Sequence, residues 1–471
     1  MQNKKLSMKR ILAFASCDFF GGGAFNIVNF LYPGYVVLAL GLSPYLAGIV
    51  IMIARIFDAV IDPFIGLYSD KLRVRFGTRR GSMLVSAPFI ILSLFLMFYP
   101  YAHPDVTVRF LAALFSYIFF CAVQSSIMIP YYSLSSEMTE DYTERARMTS
   151  VRMGFSIFAS IVCVALPGMI VSAYENNRGY IVMSLLFGAI FAVCAATTGF
   201  FAKEGVSAPE KPEPFSLKDF VKPFAVKPFR QYLWLLLTCQ ITMAVMSGLF
   251  FFYVDFYFCR SQTAAGSGNV VGMIGAAIMF GMQIVALPFY LAMIKRTSKM
   301  RVYIVGSAIW VIFALLLPFV PADSSPLLLY LLAAVLGFGI SGPGLIPHAI
   351  FADVVDVGHL QLSSRSAGAF SGLSNFLNTV AQALGLSAVM AIIGAAGFVE
   401  QDISEGAAKI LAQPLAAQRA IVWVLALAPL AFMSAGIFAA SKYRLDKEKH
   451  AEVLAAIGGD ERQKAAVLRS L

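Results

Sequence analysis

The sequence predicts an all-α polytopic membrane protein, twelve transmembrane helices in two six-helix bundles, on three observations. Of 471 residues, 59% are hydrophobic and only 13% charged, where soluble domains carry about 25% charged residues. Mostly apolar runs of about 20 residues or more, the length that crosses a bilayer, recur twelve times. Residues 203–230, rich in Lys and Pro, then break the series into six and six. The expected spans are 11–40, 44–69, 82–101, 107–134, 149–173, 179–201, 231–257, 268–294, 302–320, 326–350, 365–394 and 416–441. The organisation that follows is an N-terminal bundle over 1–202, a cytoplasmic linker over 203–230, a C-terminal bundle over 231–441 and a tail over 442–471.

An even span count with both termini cytoplasmic puts most of the 36 Lys and Arg residues in inside loops, as the positive-inside rule requires. The net charge of +10 is then accounted for by anionic lipid beside those loops, so no nucleic-acid partner is called for. Cys17, Cys121, Cys163, Cys194 and Cys239 fall inside spans and Cys259 near an outer helix end, with no spacing that suggests a metal or a disulfide. The stretch from Met8 to Cys17 looks like a lipoprotein signal, but its apolar core is too short and the run continues past Asp18. It reads as the first span.

Span 1 carries Asp18, Gly22 and Asn29 within about 40° on one helical face. The glycines favour close helix packing; Asp18 is not needed for that and reads as a cavity-facing carboxylate. Span 2 holds Arg55, Asp58 and Asp62 within about 60°. Charges at bilayer depth cost at least a few kcal/mol and normally face a polar interior. Two carboxylates one turn apart are relieved by a shared Na⁺, a proton or the neighbouring guanidinium, so a cation site and a structural ion pair both remain open. The basic run from Lys71 to Arg80 must be cytoplasmic. Arg152, about a turn into span 5, is either a snorkelling loop anchor or a substrate ligand.

The two halves read as a weak repeat, with spans 1 and 7 starting about 220 residues apart and Ile346-Pro347 echoing Ile129-Pro130. Parallel halves around a midplane cavity are the architecture of an alternating-access carrier. Tyr253, Asp255 and Tyr257 suggest an outer gate, although interfacial tyrosines are common anchors. In span 11, Asn375, Asn378 and Gln382 make a polar stripe, either interhelical hydrogen bonds or a cavity wall. His348 reads as structural, and the tail as a short amphipathic helix with no chemistry of its own. No nucleophile with a base and no metal set is visible, so an enzyme is not expected.

These residues resemble the glycoside-pentoside-hexuronide:cation symporters, the melibiose permease group of the major facilitator superfamily. The resemblance is carried by Arg55-x-x-Asp58-x-x-x-Asp62-Pro63-x-x-Gly66, by Pro130-Tyr131 through Glu137-Met138-Thr139-x-Asp141-Tyr142-x-Glu144-Arg145, by Arg152, and by Ala352-Asp353-Val354-Val355-Asp356 with Arg365 and Gly368. It implies the major facilitator fold, with Asp58, Asp62 and Ser125 binding the coupling cation. It implies sugar contacts from Asp18, Arg152 and Tyr132, to which the polar residues Asn29, Asn375 and Asn378 are added as candidate substrate ligands, and a cytoplasmic gate of Asp141, Arg145, Asp353, Asp356 and Arg365. Four positions depart from the family pattern. Met128 stands for an acid of span 4, Thr379 for a lysine of span 11, Cys17 for a lysine of span 1, and Gly344 for an aromatic of span 10.

The expected function is cation-coupled symport of a sugar, glycoside or related polar solute. An amphiphile carrier, such as one for lysolipids, and a non-transporting sensor on the same fold are the alternatives. The coupling ion is H⁺ in preference to Na⁺, because Na⁺ needs several oxygens and Met128 removes one, whereas a proton needs a single acceptor. No cofactor is expected; the partners are a small solute, a monovalent cation and the lipid bilayer, with a monomer in a cell membrane, the inner one in a bacterium.

Overall fold

The computed structural model describes residues 6–139, 142–174, 177–203, 221–259, 267–362, 367–399 and 413–457, with short stretches at 463–464 and 467–468. Among the described residues, twelve helices are long and apolar enough to cross a membrane. Numbered in chain order, spans 1 to 6 are Met8–Ala39, Pro44–Phe76, Arg80–Met97, Val106–Leu134, Arg147–Ser172 and Arg178–Phe201. Spans 7 to 12 are Lys227–Phe258, Val270–Arg296, Lys299–Phe319, Pro326–Leu362, Ala369–Ala395 and Leu415–Ser441. Helices satisfy every backbone donor and acceptor within their own segment, which lipid demands. The protein is therefore a multi-pass membrane protein.

Local chemistry sets the helix ends. Ser43 accepts from the Leu46 amide and precedes Pro44, a start signal for span 2; Gly77, at φ 71°, closes the same helix with its amide on the Arg73 carbonyl. Span 1 is interrupted at Cys17, so that Asp18 opens the second segment, Asp18–Gly34, where a helix N-terminus favours an acidic side chain. Its far end is a π-turn, Tyr35–Ala39, and span 7 ends in another, Val254–Phe258, about 220 residues along. The repeat suspected from span spacing thus extends to a shared irregularity. Arg109 Nη1 caps the first π-turn by donating to the carbonyls of Leu40 and Gly41.

Two compact units divide the chain. The first comprises Met1–Pro214, Ser247–Ala277 and Leu386–Ala420; the second comprises Phe215–Met246, Ile278–Gly385 and Ile421–Leu471. The first unit thus joins the end of span 7, the start of span 8, the end of span 11 and the start of span 12 to spans 1 to 6. A Cβ at Gly48 of span 2 would stand 3.1 Å from the Ser387 carbonyl, so glycine lets span 11 approach this closely without displacement. Phe251 meets Phe30 edge-on at 6.0 Å between centroids. Its aromatic core joins Tyr32 to Tyr117 at 4.7 Å. The second unit has Trp310, Tyr290 and Tyr303 fully buried, with the Tyr303 hydroxyl between Thr238 Oγ1 at 3.1 Å and the Leu235 carbonyl at 3.2 Å.

Candidate cation and substrate site

Span 2 turns Asp58 and Asp62 to one side of its helix, and span 4, packed beside it, presents Ser125 between them. Ser125 is buried, and its Oγ lies 3.0 Å from Asp58 Oδ1 and 2.6 Å from Asp62 Oδ1. One hydroxyl carries one proton and can donate to only one of these oxygens. The second contact is complete when a proton sits on a carboxyl group or when a cation joins the three oxygens. The geometry is therefore a three-oxygen site built from two charged groups and one neutral group.

Arg55 does not relieve that pair directly. Its Nη2 donates to Asn29 Oδ1 at 2.7 Å, its Nε donates to the Tyr117 hydroxyl at 2.9 Å, and its guanidinium lies 5.3 Å from the centre of the Phe25 ring. Of the two readings the sequence left open, the direct ion pair is not formed; Arg55 acts on Asp58 only at a distance and ties span 2 to spans 1 and 4. Tyr117 is fully buried and offers the nearer fixed acceptor. Asn29, a candidate substrate ligand, has its carbonyl oxygen engaged by that arginine.

A second cluster forms where spans 1, 4 and 5 meet. Asp18 is buried, with Ser156 beside it and the Arg152 charge near enough to act on it. Arg152 lies over the Tyr132 ring at 5.6 Å, and half of Tyr132 is exposed. Among the described residues the guanidinium closes no ion pair, and its Nε is buried without a hydrogen-bond partner. An unsatisfied buried donor on an aromatic face, with a carboxyl group nearby, suits a ligand rich in oxygen. Met128 is buried beside this cluster, its thioether against Gly21 close to Asp18. Where the resembled family has an acid, this chain has a soft apolar wall.

The remaining candidates lie in the second unit. Asn378 accepts from Gln382 Nε2 at 3.1 Å, one turn along the same helix, and Asn375 is exposed. Asp353 is ion-paired with Lys299, whose Nζ also donates to the Ala349 carbonyl at 3.0 Å. His450 Nε2 lies 3.1 Å from Asp356 Oδ2 and 4.0 Å from Asp353 Oδ1. His450 belongs to the tail helix Lys447–Ile457, so the expected tail helix is present and also contacts span 10 through a polar side chain. Burial first, and the charge of Asp353 second, push the neighbouring Tyr443 phenol up. Asp141 and Arg365 lie outside the described residues, as does the side chain of Arg145. Among the described residues, no group of three or more His, Cys, Asp or Glu side chains is placed to hold a metal ion.

A helical bundle with ionisable side chains at bilayer depth, one of them lacking a partner, is built to bind and move a solute. This is the class of secondary transporters. The chain belongs to the MFS/sugar transport protein family, which it matches over residues 14–447. It is 26% identical to an uncharacterised symporter of Synechocystis, with 96% of each chain aligned. It is 24% identical to the glucuronide carrier protein homolog of Escherichia coli, over 85% of this chain and 86% of that one. Identity to the sodium-dependent lysophosphatidylcholine symporter 1 of Gallus gallus is 23%, over 90% and 84%. The fold is shared with a bacterial homolog of the human lysosomal transporter Spinster, with a TM-score of 0.63, 12% identity and coverage of 98% and 99%. The protein is accordingly a major facilitator symporter and not an enzyme.

Proposed function

We propose that this symporter couples entry of a sugar, glycoside or related polar solute to a monovalent cation, working by alternating access between its N- and C-terminal six-helix halves, with both termini in the cytoplasm. The observation that carries the reading is the Ser125 hydroxyl held against both Asp58 and Asp62. Cation arrival neutralises a repelling carboxylate pair, which makes the conformational change depend on the ion, while the gradient itself supplies the free energy for solute movement. Asp18, Arg152 and Tyr132 would hold the solute, the arginine by its planar fork and the tyrosine by its face. Asp353 and Asp356, with Asp141, Arg145 and Arg365, would form the cytoplasmic gate.

The proposed coupling ion is H⁺. Two carboxylates and one hydroxyl are few ligands for Na⁺, and the buried Met128 adds none. The lysophosphatidylcholine symporters among the relatives are sodium-dependent by name, and an apolar methionine beside Asp18 favours an amphiphile over a bare sugar. A lysolipid-like solute is therefore the second reading. A solute panel scored by thermal stabilisation finds the ligand class, since a ligand that binds the folded state raises its melting temperature. Uptake of the hit into proteoliposomes then follows a pH gradient at fixed Na⁺ and is unchanged when choline replaces Na⁺. Uptake that scales with a Na⁺ gradient at constant pH, and keeps that dependence in Met128→Asp, overturns the proton assignment.

A further inference from the structure

A slot of 380 Å³ opens between spans 2, 3 and 4, outside the cation and substrate clusters. Its long wall is one face of span 2, with Ile65, Tyr68, Leu72 and Phe76 at helical spacing over about 16 Å of helix axis. Val85 of span 3 and Pro130 of span 4 complete the wall. Tyr68, Phe76 and Val85 are 62%, 63% and 69% exposed, so the slot opens sideways and not into a sealed core. Three of its serine hydroxyls are engaged by the protein. Ser82 Oγ donates to the Arg79 carbonyl and Ser126 Oγ to the Ala122 carbonyl, both at 2.7 Å, and Ser69 Oγ accepts from Arg79 at 3.3 Å. The interior that remains is apolar and elongated.

Basic residues flank the loop end of the slot without lining it. Lys71 and Arg75 are exposed, one turn apart on the side of span 2 next to the slot face, and the Arg75 guanidinium lies 5.3 Å from the centre of the slot-lining Phe76 ring. Arg79 and Arg80 serve the structure instead, the first on Ser69 and the second donating to the Gly199 carbonyl at 3.1 Å. A linear apolar groove with two cations at its loop end is complementary to an amphiphile with an anionic head and a single chain lying along the helix.

We propose that this slot is a binding site for one anionic phospholipid of the adjoining leaflet, with an acyl chain along span 2 and the phosphate at Lys71 and Arg75. The chain would lie between spans 2 and 4 on the loop side of the cation cluster. Ile65 and Ser69 follow Asp62 by one and two turns, and Ser126 adjoins Ser125. Lipid in the slot braces the two helices whose side chains make the Ser125 contacts. The site depends on neither the solute nor the coupling ion.

The test is native mass spectrometry of the purified protein titrated with phosphatidylglycerol and, separately, with phosphatidylcholine of the same acyl chains. A basic juxtamembrane residue contributes about fivefold in affinity for anionic lipid. The double variant Lys71→Ala, Arg75→Ala is therefore expected to bind phosphatidylglycerol about 25-fold more weakly, while Lys295→Ala, Arg296→Ala, the basic pair ending span 8, binds as wild type. A Cβ at Gly81, on the slot wall, meets nothing within 4 Å, so Gly81→Leu adds bulk there; it and Val85→Trp are expected to lose the tight adduct at unchanged melting temperature. Equal binding of the two lipids, equal losses in the two charge pairs, or adducts retained by both slot-filling variants would each mean a general lipid annulus and overturn the site.

Discussion

Arg152 is the residue whose surroundings say most about recognition. It lies over Tyr132, close enough to Asp18 for their charges to interact, and its buried Nε lacks a partner. A buried donor of this kind calls for an acceptor, which a ligand oxygen could supply. The planar fork contacts two oxygens at once, which a Lys point charge cannot reproduce. Arg152→Lys is expected to raise the apparent dissociation constant for the solute about tenfold, a loss of about 1.4 kcal/mol, with an unchanged melting temperature. An unchanged affinity with a lowered melting temperature would make Arg152 a loop anchor. At this scale the sequence was informative about residue type and poor about partners. Asp58, Asp62 and Ser125 meet as the resemblance implied, whereas Arg55 reaches Tyr117, a span 4 residue that helical periodicity on span 2 alone does not point to.

At the scale of elements, twelve spans were legible because lipid forces each crossing to be a long apolar helix. Helix ends were less so, since backbone hydrogen bonding does not stop where hydropathy does. Span 10 runs to Leu362, well past its expected end at 350, and carries Asp353 and Asp356 on the continuing helix. The docking of the tail helix was the larger omission, because nothing in its pattern announces that His450 meets carboxylates nearly a hundred positions earlier. That contact predicts a docked tail. A hydrogen bond to a charged group contributes about 1.5–3 kcal/mol when buried, discounted here to about 1 kcal/mol for partial exposure. His450→Ala is expected to speed hydrogen exchange of amides 447–457 roughly fivefold. Unchanged exchange would mean that the tail is held by its apolar face alone.

For the whole molecule, the family, the twelve crossings and the paired irregularities ending spans 1 and 7 agree on a carrier built by repetition. Such a carrier works against a gradient only if the cation site and the solute site are linked. Asp58 and Asp62 are the residues through which that linkage is proposed to run, and a neutral amide at either position can neither exchange a proton nor balance a cation. The most direct measurement compares two activities of Asp58→Asn and Asp62→Asn proteoliposomes, ion-driven accumulation and counterflow exchange of labelled solute with no net driving force. Loss of accumulation with exchange retained is the expected result for both variants; accumulation at the wild-type level in both, at equal protein content, would contradict the coupling role of this site.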